Sequence, residues 1–331
     1  MRPKAGVFCH NGLGDGVNCL VLSNTLQLNG WQVDTFQNTI GSMQEWFPHL
    51  SVQPYPPLSD LPKVLSSYDW FFVVHNDTHE FVVKLIQEGK RRFPEQMKVI
   101  YLYPSKHIVN EPYYTDCLVE PHLSIAENLR LFCEKILHLP KISKSNGFIP
   151  PADLTHRKFP KRIVVHPTSA RLTRNWPKEK FVKLALHLKD EGYRLVFVPG
   201  GAKEKEEWKD LSDLGFEVPV FPTLDLLARF IYESGYLIGN DSGLGHLASA
   251  LGVPTLTFCR RKTWANMWAP SFSKGVVVSP SSLIPNIRGL RLRDRHWKKF
   301  ITVGMARRAF ERLMQTTEAI AKLAGPTKSP F

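Results

Sequence analysis

Cysteine is scarce in this chain and never spaced as C-x-x-C. The five cysteines, Cys9, Cys19, Cys117, Cys133 and Cys259, are odd in number and far apart. That pattern speaks against a disulfide framework or a structural zinc site and suits a reducing compartment. No apolar run approaches the length of a membrane span. The opening "MRPKAGVFCHNGLGDG" interrupts its apolar stretch with His10, Asn11 and Asp15, so it does not read as a signal peptide. A cytoplasmic protein is expected. D-x-D is also missing, and with it a common way of holding a divalent ion against a diphosphate. No G-x-S-x-G nucleophile elbow occurs either.

Acidic residues are scarce in one region only. Residues 1–160 carry 15 basic and 15 acidic side chains, whereas residues 161–331 carry 28 and 15, the whole of the net charge of +13. Within the second half, residues 260–312 hold 13 basic groups against 2 acidic ones. A patch of that kind suits a partner bearing phosphates or carboxylates, an anionic membrane surface among them. A solvated basic face is the plainer reading.

Length and composition, 331 residues with 43% hydrophobic and 22% charged, fit two domains with separate cores. Strand-like runs "AGVFC", "WQVDTF", "WFFVVH" and "KVIYLY" alternate with helical stretches near 15–29, 78–91 and 121–138. Residues 53–62 and 104–120 read as irregular segments, and the proline-rich 140–160 as a linker. The alternation then restarts: "RIVVHP", an amphipathic helix from Pro177 to Gly192, "YRLVFVPGG", a charged helix over 202–214 and a strand near 217–221. "LDLLARFIYESG", "YLIGN", "GLGHLASALG" and "PTLTFC" follow, with a last helix near 304–323. Two Rossmann-like α/β domains facing a cleft are expected: residues 1–150, residues 160–303, and a C-terminal helix and tail over 304–331.

Three stretches carry chemistry. In "HNGLGDGVN" the glycines fall at 12, 14 and 16, not in the G-x-G-x-x-G dinucleotide pattern, and Asp15 would repel a phosphate. Asp15 either caps the following helix or serves as a base that Gly12, Gly14 and Gly16 expose to a bulky hydroxyl substrate. The loop "HPTSARLTRNWP" offers the hydroxyls of Thr168 and Ser169 and the cations Arg171 and Arg174, a set suited to phosphate. In "GNDSGLGHLASALG" a strand runs straight into a helix at Asp241, Ser242 and Gly243, with His246 one turn in, an anion site by its free N–H groups and dipole. "HNDTH" (75–79) reads as a polar loop rather than a metal site.

Taken in order and at these distances, the three stretches resemble those of glycosyltransferase family 9, the lipopolysaccharide heptosyltransferases, which have the GT-B fold. The likeness spans most of the chain and is stronger in the second half. It implies an inverting transfer of heptose from ADP-heptose to the acidic Kdo/heptose inner core of lipid A, with Asp15 deprotonating the acceptor hydroxyl. Thr168 and Ser169 would bind the donor diphosphate, and Asp241, Ser242, Gly243 and His246 would complete the nucleotide-sugar site. The family's lysine two residues before Trp-Pro is Arg174 here. With clusters of this kind to stabilise the departing diphosphate, no metal or other cofactor is expected. Arg260 and Arg261, following "PTLTFC", would face the acceptor, and "RGLRLRDRHWKK" (288–299) the inner face of the cytoplasmic membrane. The alternatives are a relative using another nucleotide sugar, a nucleotide-sugar epimerase of the same fold, and a nucleic-acid-binding protein. The last would leave Asp15 and the 239–252 stretch without a role, so no nucleic acid is expected.

Overall fold

A computed structural model describes residues 2–75, 80–101, 120–286 and 291–324. Contacts divide the chain into two compact units, Met1–Ile149 and Pro150–Phe331.

The first unit is built on β1 (Lys4–Phe8), α1 (Leu13–Leu28), β2 (Gln32–Phe36), β3 (Ser51–Gln53), α2 (Leu61–Ser66), β4 (Trp70–His75), α3 (Glu80–Arg92), β5 (Met97–Tyr101) and α4 (Ile125–Lys135). Its sheet is parallel, in the order β3-β2-β1-β4-β5. The chain builds outward from β1 to β3, then returns to add β4 on the other side of β1. The order therefore reverses between β1 and β4, and in such sheets ligands bind beyond the strand C-termini at that reversal. The loop after β1 is "CHNGLG", which leads to Asp15. Helix α1 is buried over most of its length, its polar Asn18, Ser23, Asn24 and Thr25 included. Its few polar groups hold the chain that follows α4: Asn24 Nδ2 donates to the Ser145 carbonyl (3.0 Å), Thr25 Oγ1 to Ser143 (3.1 Å) and Asn29 Nδ2 to Lys141 (2.7 Å). The first part of the proline-rich stretch is thus strapped along α1.

The second unit continues with β6 (Phe159–His166), α5 (Lys178–Asp190), β7 (Arg194–Phe197), α6 (Ala202–Glu207), α7 (Leu224–Tyr232), β8 (Ser234–Asn240), α8 (Gly243–Ala250), β9 (Thr255–Phe258), α9 (Lys262–Trp268), β10 (Gly275–Val278), α10 (Leu292–Arg295), α11 (Trp297–Phe300) and α12 (Val303–Ala324). This sheet is also parallel, ordered β10-β9-β8-β6-β7, so its reversal lies between β6 and β8. Helix α12 returns to this unit and buries Ala306, Ala309, Phe310 and Leu313 in the same core as Trp176, Phe181 and Phe258. Trp176 stacks on Phe258 with ring centroids 4.2 Å apart.

Several expectations need correction. Residues 217–221 form no strand: only Glu217 makes a bridge, to Val196. The charged helix over 202–214 is α6 followed by a 3-10 turn over Lys209–Leu214, which Gly215 ends in the left-handed region (φ 71°). The edge strands β3 and β10 are three and four residues long, too short to show a period. Cys9 and Cys19, expected to be free, are joined in a disulfide. The tight turn from β1 into α1 brings residues ten apart in sequence to a Cα separation of 6.2 Å. Asp77 and His79 of "HNDTH", the irregular segment up to residue 119, and residues 288–290 of the basic run lie outside the described residues.

Candidate functional site

In the second unit, the loops that follow β6 and β8 lie side by side because those two strands are neighbours. Close approach is permitted at Gly239: any side chain there would strike the His166 carbonyl oxygen of β6 (2.6 Å from a Cβ). Buried Asn240, at the end of β8, then joins the two loops. Its Oδ1 accepts from the Trp176 N–H (2.9 Å), and its Nδ2 donates to the Pro167 carbonyl (2.6 Å). Asp241 follows, with its N–H on the Phe258 carbonyl (3.1 Å).

Arg174 sits on a 3-10 turn over Leu172–Arg174, with Nη1 3.9 Å from Asp241 Oδ2. Together with Arg171, Arg260 and Arg261 these residues line a cavity of about 160 Å³. Cys259 lies on the same cavity, and burial, with the Asp241 charge adding to it, pushes its thiol up to about 12. It is an inert neutral group. Ser242 is the N-cap of α8, yet its hydroxyl caps nothing: Oγ is shielded from solvent and has no hydrogen-bond partner. Gly243 opens the helix, and His246 is buried in its second turn.

The two hydroxyls of the first loop differ. Thr168 Oγ1 accepts from the Gly200 N–H (2.9 Å), which leaves its own proton available. Ser169 Oγ donates to Asn175 Oδ1 (2.6 Å) and so braces its own loop. His166 donates from Nδ1 to the Val198 carbonyl (2.6 Å), and burial holds its pKa below the usual 6.5.

In the first unit, Asp15 stands in the first turn of α1, its Oδ2 3.1 Å from His10 Nδ1. The same ring nitrogen lies 3.0 Å from the Gly12 N–H. Gln37 fastens the loop: its Nε2 donates to the carbonyls of His10 and Gly12 (3.2 Å each), and its Oε1 accepts from Thr39 and Ile40. Gly16 leaves the space that Gln37 fills, since a Cβ there would lie 2.9 Å from the Gln37 amide carbon. Gly12 has a packing reason as well, since a Cβ there would strike Asp15 Oδ2.

Asn240 and Asp294 carry roles that the sequence reading did not assign. Asn240 lies in the stretch "GNDSGLGHLASALG". Asp294 carried a signal as well, being the lone acid in "RLRDR". Buried beside Arg261, it is hydrogen-bonded by that guanidinium and lies 3.9 Å from Arg260. Burial alone would raise its pKa, but hydrogen bonds from Arg261 and Asn286 and the two arginine charges outweigh that and hold it low.

Residues 121–279 match the family model described as "Glycosyltransferase family 9 (heptosyltransferase)". The match takes in just under half of the chain. The stretch includes both loops of the second unit's site. Among curated relatives, the chain is 32% identical over 97 residues to lipopolysaccharide heptosyltransferase 1 of Escherichia coli (strain K12), covering 29% of this chain and 30% of that one. To the same-named protein of Campylobacter coli it is 30% identical over 146 residues, covering 41% and 42%. The matches therefore span well under half the length of these relatives. Solved structures agree over nearly the whole chain. E. coli heptosyltransferase WaaC with ADP superposes with a TM-score of 0.68 at 15% identity, covering 94% of this chain and 99% of that one. A glycosyl transferase family 9 structure from Veillonella parvula gives 0.69 at 16%, covering 95% and 98%. At such identity the likeness concerns fold, and the fold is that of GT-B heptosyltransferases.

Proposed function

We propose that this protein is an inverting, metal-independent heptosyltransferase that moves heptose from ADP-heptose to the anionic inner core of lipopolysaccharide. One observation carries the reading. At the strand-order reversal of the second unit, a partnerless Ser242 hydroxyl and the start of α8 directly follow Asp241, which lines an arginine-rich cavity. A buried hydroxyl without a partner costs stability unless a ligand completes it. A diphosphate does so, and helix N-terminus and Arg174 together neutralise the charge that grows on it as the sugar leaves. The resemblance to heptosyltransferase 1 and to WaaC with ADP supports ADP-heptose over other donors.

In the transfer, the acceptor oxygen bonds to the anomeric carbon while the bond from that carbon to the diphosphate oxygen breaks. Asp15 receives the acceptor's proton, and ADP departs with the electron pair. Thr168, with a proton to give, contributes to the diphosphate; Ser169 keeps the loop in shape; His246 and Gly243 complete the donor site from α8. Gly12, Gly14 and Gly16 keep Asp15 accessible. Arg260 and Arg261 meet the acceptor's negative charge, and the basic residues of α10 and α11 attract an anionic membrane surface. No helix among the described residues is long and apolar enough to cross a membrane.

Thermal stabilisation by ADP, UDP, GDP and CDP, each with EDTA present, tests the reading. ADP alone should raise the melting temperature. Asp241→Ala should lose that shift, while Asp15→Ala should keep it and lose transfer. Stabilisation by UDP instead overturns the ADP-sugar donor, and loss of the ADP shift in EDTA overturns metal independence.

A further inference from the structure

Arg260 and Arg261 also line a second and larger cavity of the second unit, about 600 Å³, on which Lys262, Arg291 and Arg293 converge. Five cations thus face one carboxylate, Asp294. Like charges gathered this closely repel one another, and a single acid offsets only part of that. Asp294 is spoken for: it holds the Arg261 guanidinium in place, and its Oδ1 remains buried with no partner. Arg293 gives Nη1 to the Ser282 carbonyl (3.2 Å). Arg260 keeps a buried Nε with no acceptor. Lys262 and Arg291 have no carboxylate within ion-pair distance among the described residues, and Arg291 adopts a left-handed backbone (φ 42°) that disfavours any residue but glycine. The cavity has unused donors, a surplus of positive charge and room for a monosaccharide.

We propose that this cavity binds a phosphate monoester carried on a sugar of the acceptor, with Asp294 as the positioning residue for Arg261. The inference rests on the glycosyltransferase reading for the word acceptor, and on the cavity alone for the sugar phosphate. Four arginines and a lysine favour a dianion over a singly charged carboxylate, and guanidinium forks suit phosphate oxygens in pairs. Because Arg260 and Arg261 line both cavities, an acceptor phosphate seated here is anchored next to the donor loop.

The probe is glucose 6-phosphate, titrated by calorimetry into the full chain saturated with ADP, with glucose, glucuronate and inorganic phosphate as comparison arms. Glucose 6-phosphate should bind without displacing ADP and more tightly than the other three. Arg291→Gln, an exposed change that leaves the core untouched, should weaken it at least tenfold, and Arg260→Gln likewise. Asp294→Asn should weaken it less than Arg261→Gln does, since it loosens a group and does not remove one. Competition with ADP overturns the proposal by placing the phosphate in the donor loop. Equal binding of glucuronate overturns the phosphate, and equal binding of inorganic phosphate overturns the sugar. Unchanged affinity in Arg291→Gln and Arg260→Gln removes the cavity from the account. If ADP itself fails to bind, the donor reading falls, and the same titration without ADP still decides this one.

Discussion

A side chain on Gly12 and the carboxylate of Asp15 cannot both keep their present places, because a methyl group built on Gly12 overlaps Asp15 Oδ2. The backbone at Gly12 is ordinary (φ −66°), so what glycine supplies here is space and not conformational freedom. Gly12→Ala should therefore act as a displaced Asp15. Transfer should fall about 100-fold or more, the usual worth of a positioned general base, while the thermal shift with ADP persists. Full activity in Gly12→Ala would remove Asp15 from the chemistry.

Ser242 allows a substitution whose two effects have opposite signs. Its hydroxyl is buried without a partner, so Ser242→Ala should leave the melting temperature unchanged or slightly higher. Affinity for ADP should fall by about tenfold, the loss of one hydrogen bond to a charged group. A melting point that drops with ADP affinity intact would make Ser242 a structural residue.

Asn240→Ala leaves two buried backbone groups, the Trp176 N–H and the Pro167 carbonyl, with nothing to bond. At about 1–3 kcal/mol for each orphan, the loss should be roughly 2–6 kcal/mol in urea unfolding followed by tryptophan fluorescence. ADP binding should weaken too, because both site loops hang on this amide. A loss under about 0.5 kcal/mol, the size of an ordinary surface change, would show that the loops are held by something else.

His166 makes stability depend on pH. Burial lowers its pKa in the folded protein, an effect partly opposed by the Val198 carbonyl and the charge of Glu204. The unfolded chain therefore takes up this proton first. Stability is complete above the unfolded value of about 6.5 and declines as pH falls through the window down to the folded value. His166→Asn keeps a donor for the Val198 carbonyl and should flatten the decline in urea midpoints between pH 8 and 5. An unchanged slope would assign it to other groups.

Much of the local architecture is legible in the residues themselves. Alternating apolar strands and amphipathic helices specify two parallel α/β halves, because a parallel pair requires a crossover and a helix is the shortest stable one. The glycine-bracketed acid, the hydroxyl-and-arginine loop and the strand that runs into a helix at Asp241 are continuous stretches, so their chemistry could be read in place. Short edge strands such as β3 and β10 could not, since three or four residues hold no measurable period. The stretch 217–221 misled for the opposite reason: its apolar residues look strand-like but find no partner beyond Glu217.

What only the tertiary structure decided is which stretches meet. Strand order places the loop after β6 beside the loop after β8, 64 residues apart in the Asn240–Trp176 bond, and spacing along the chain carries no information about that neighbour relation. Packing likewise assigned Ser169 to its own loop, left Ser242 unpartnered, and set Asp294 against arginines 33 and 34 residues upstream. The residues determine which groups can bind phosphate. The fold determines which of them are already satisfied, because a hydrogen bond or an ion pair depends on distances in space, and those exist only once the sheet has formed.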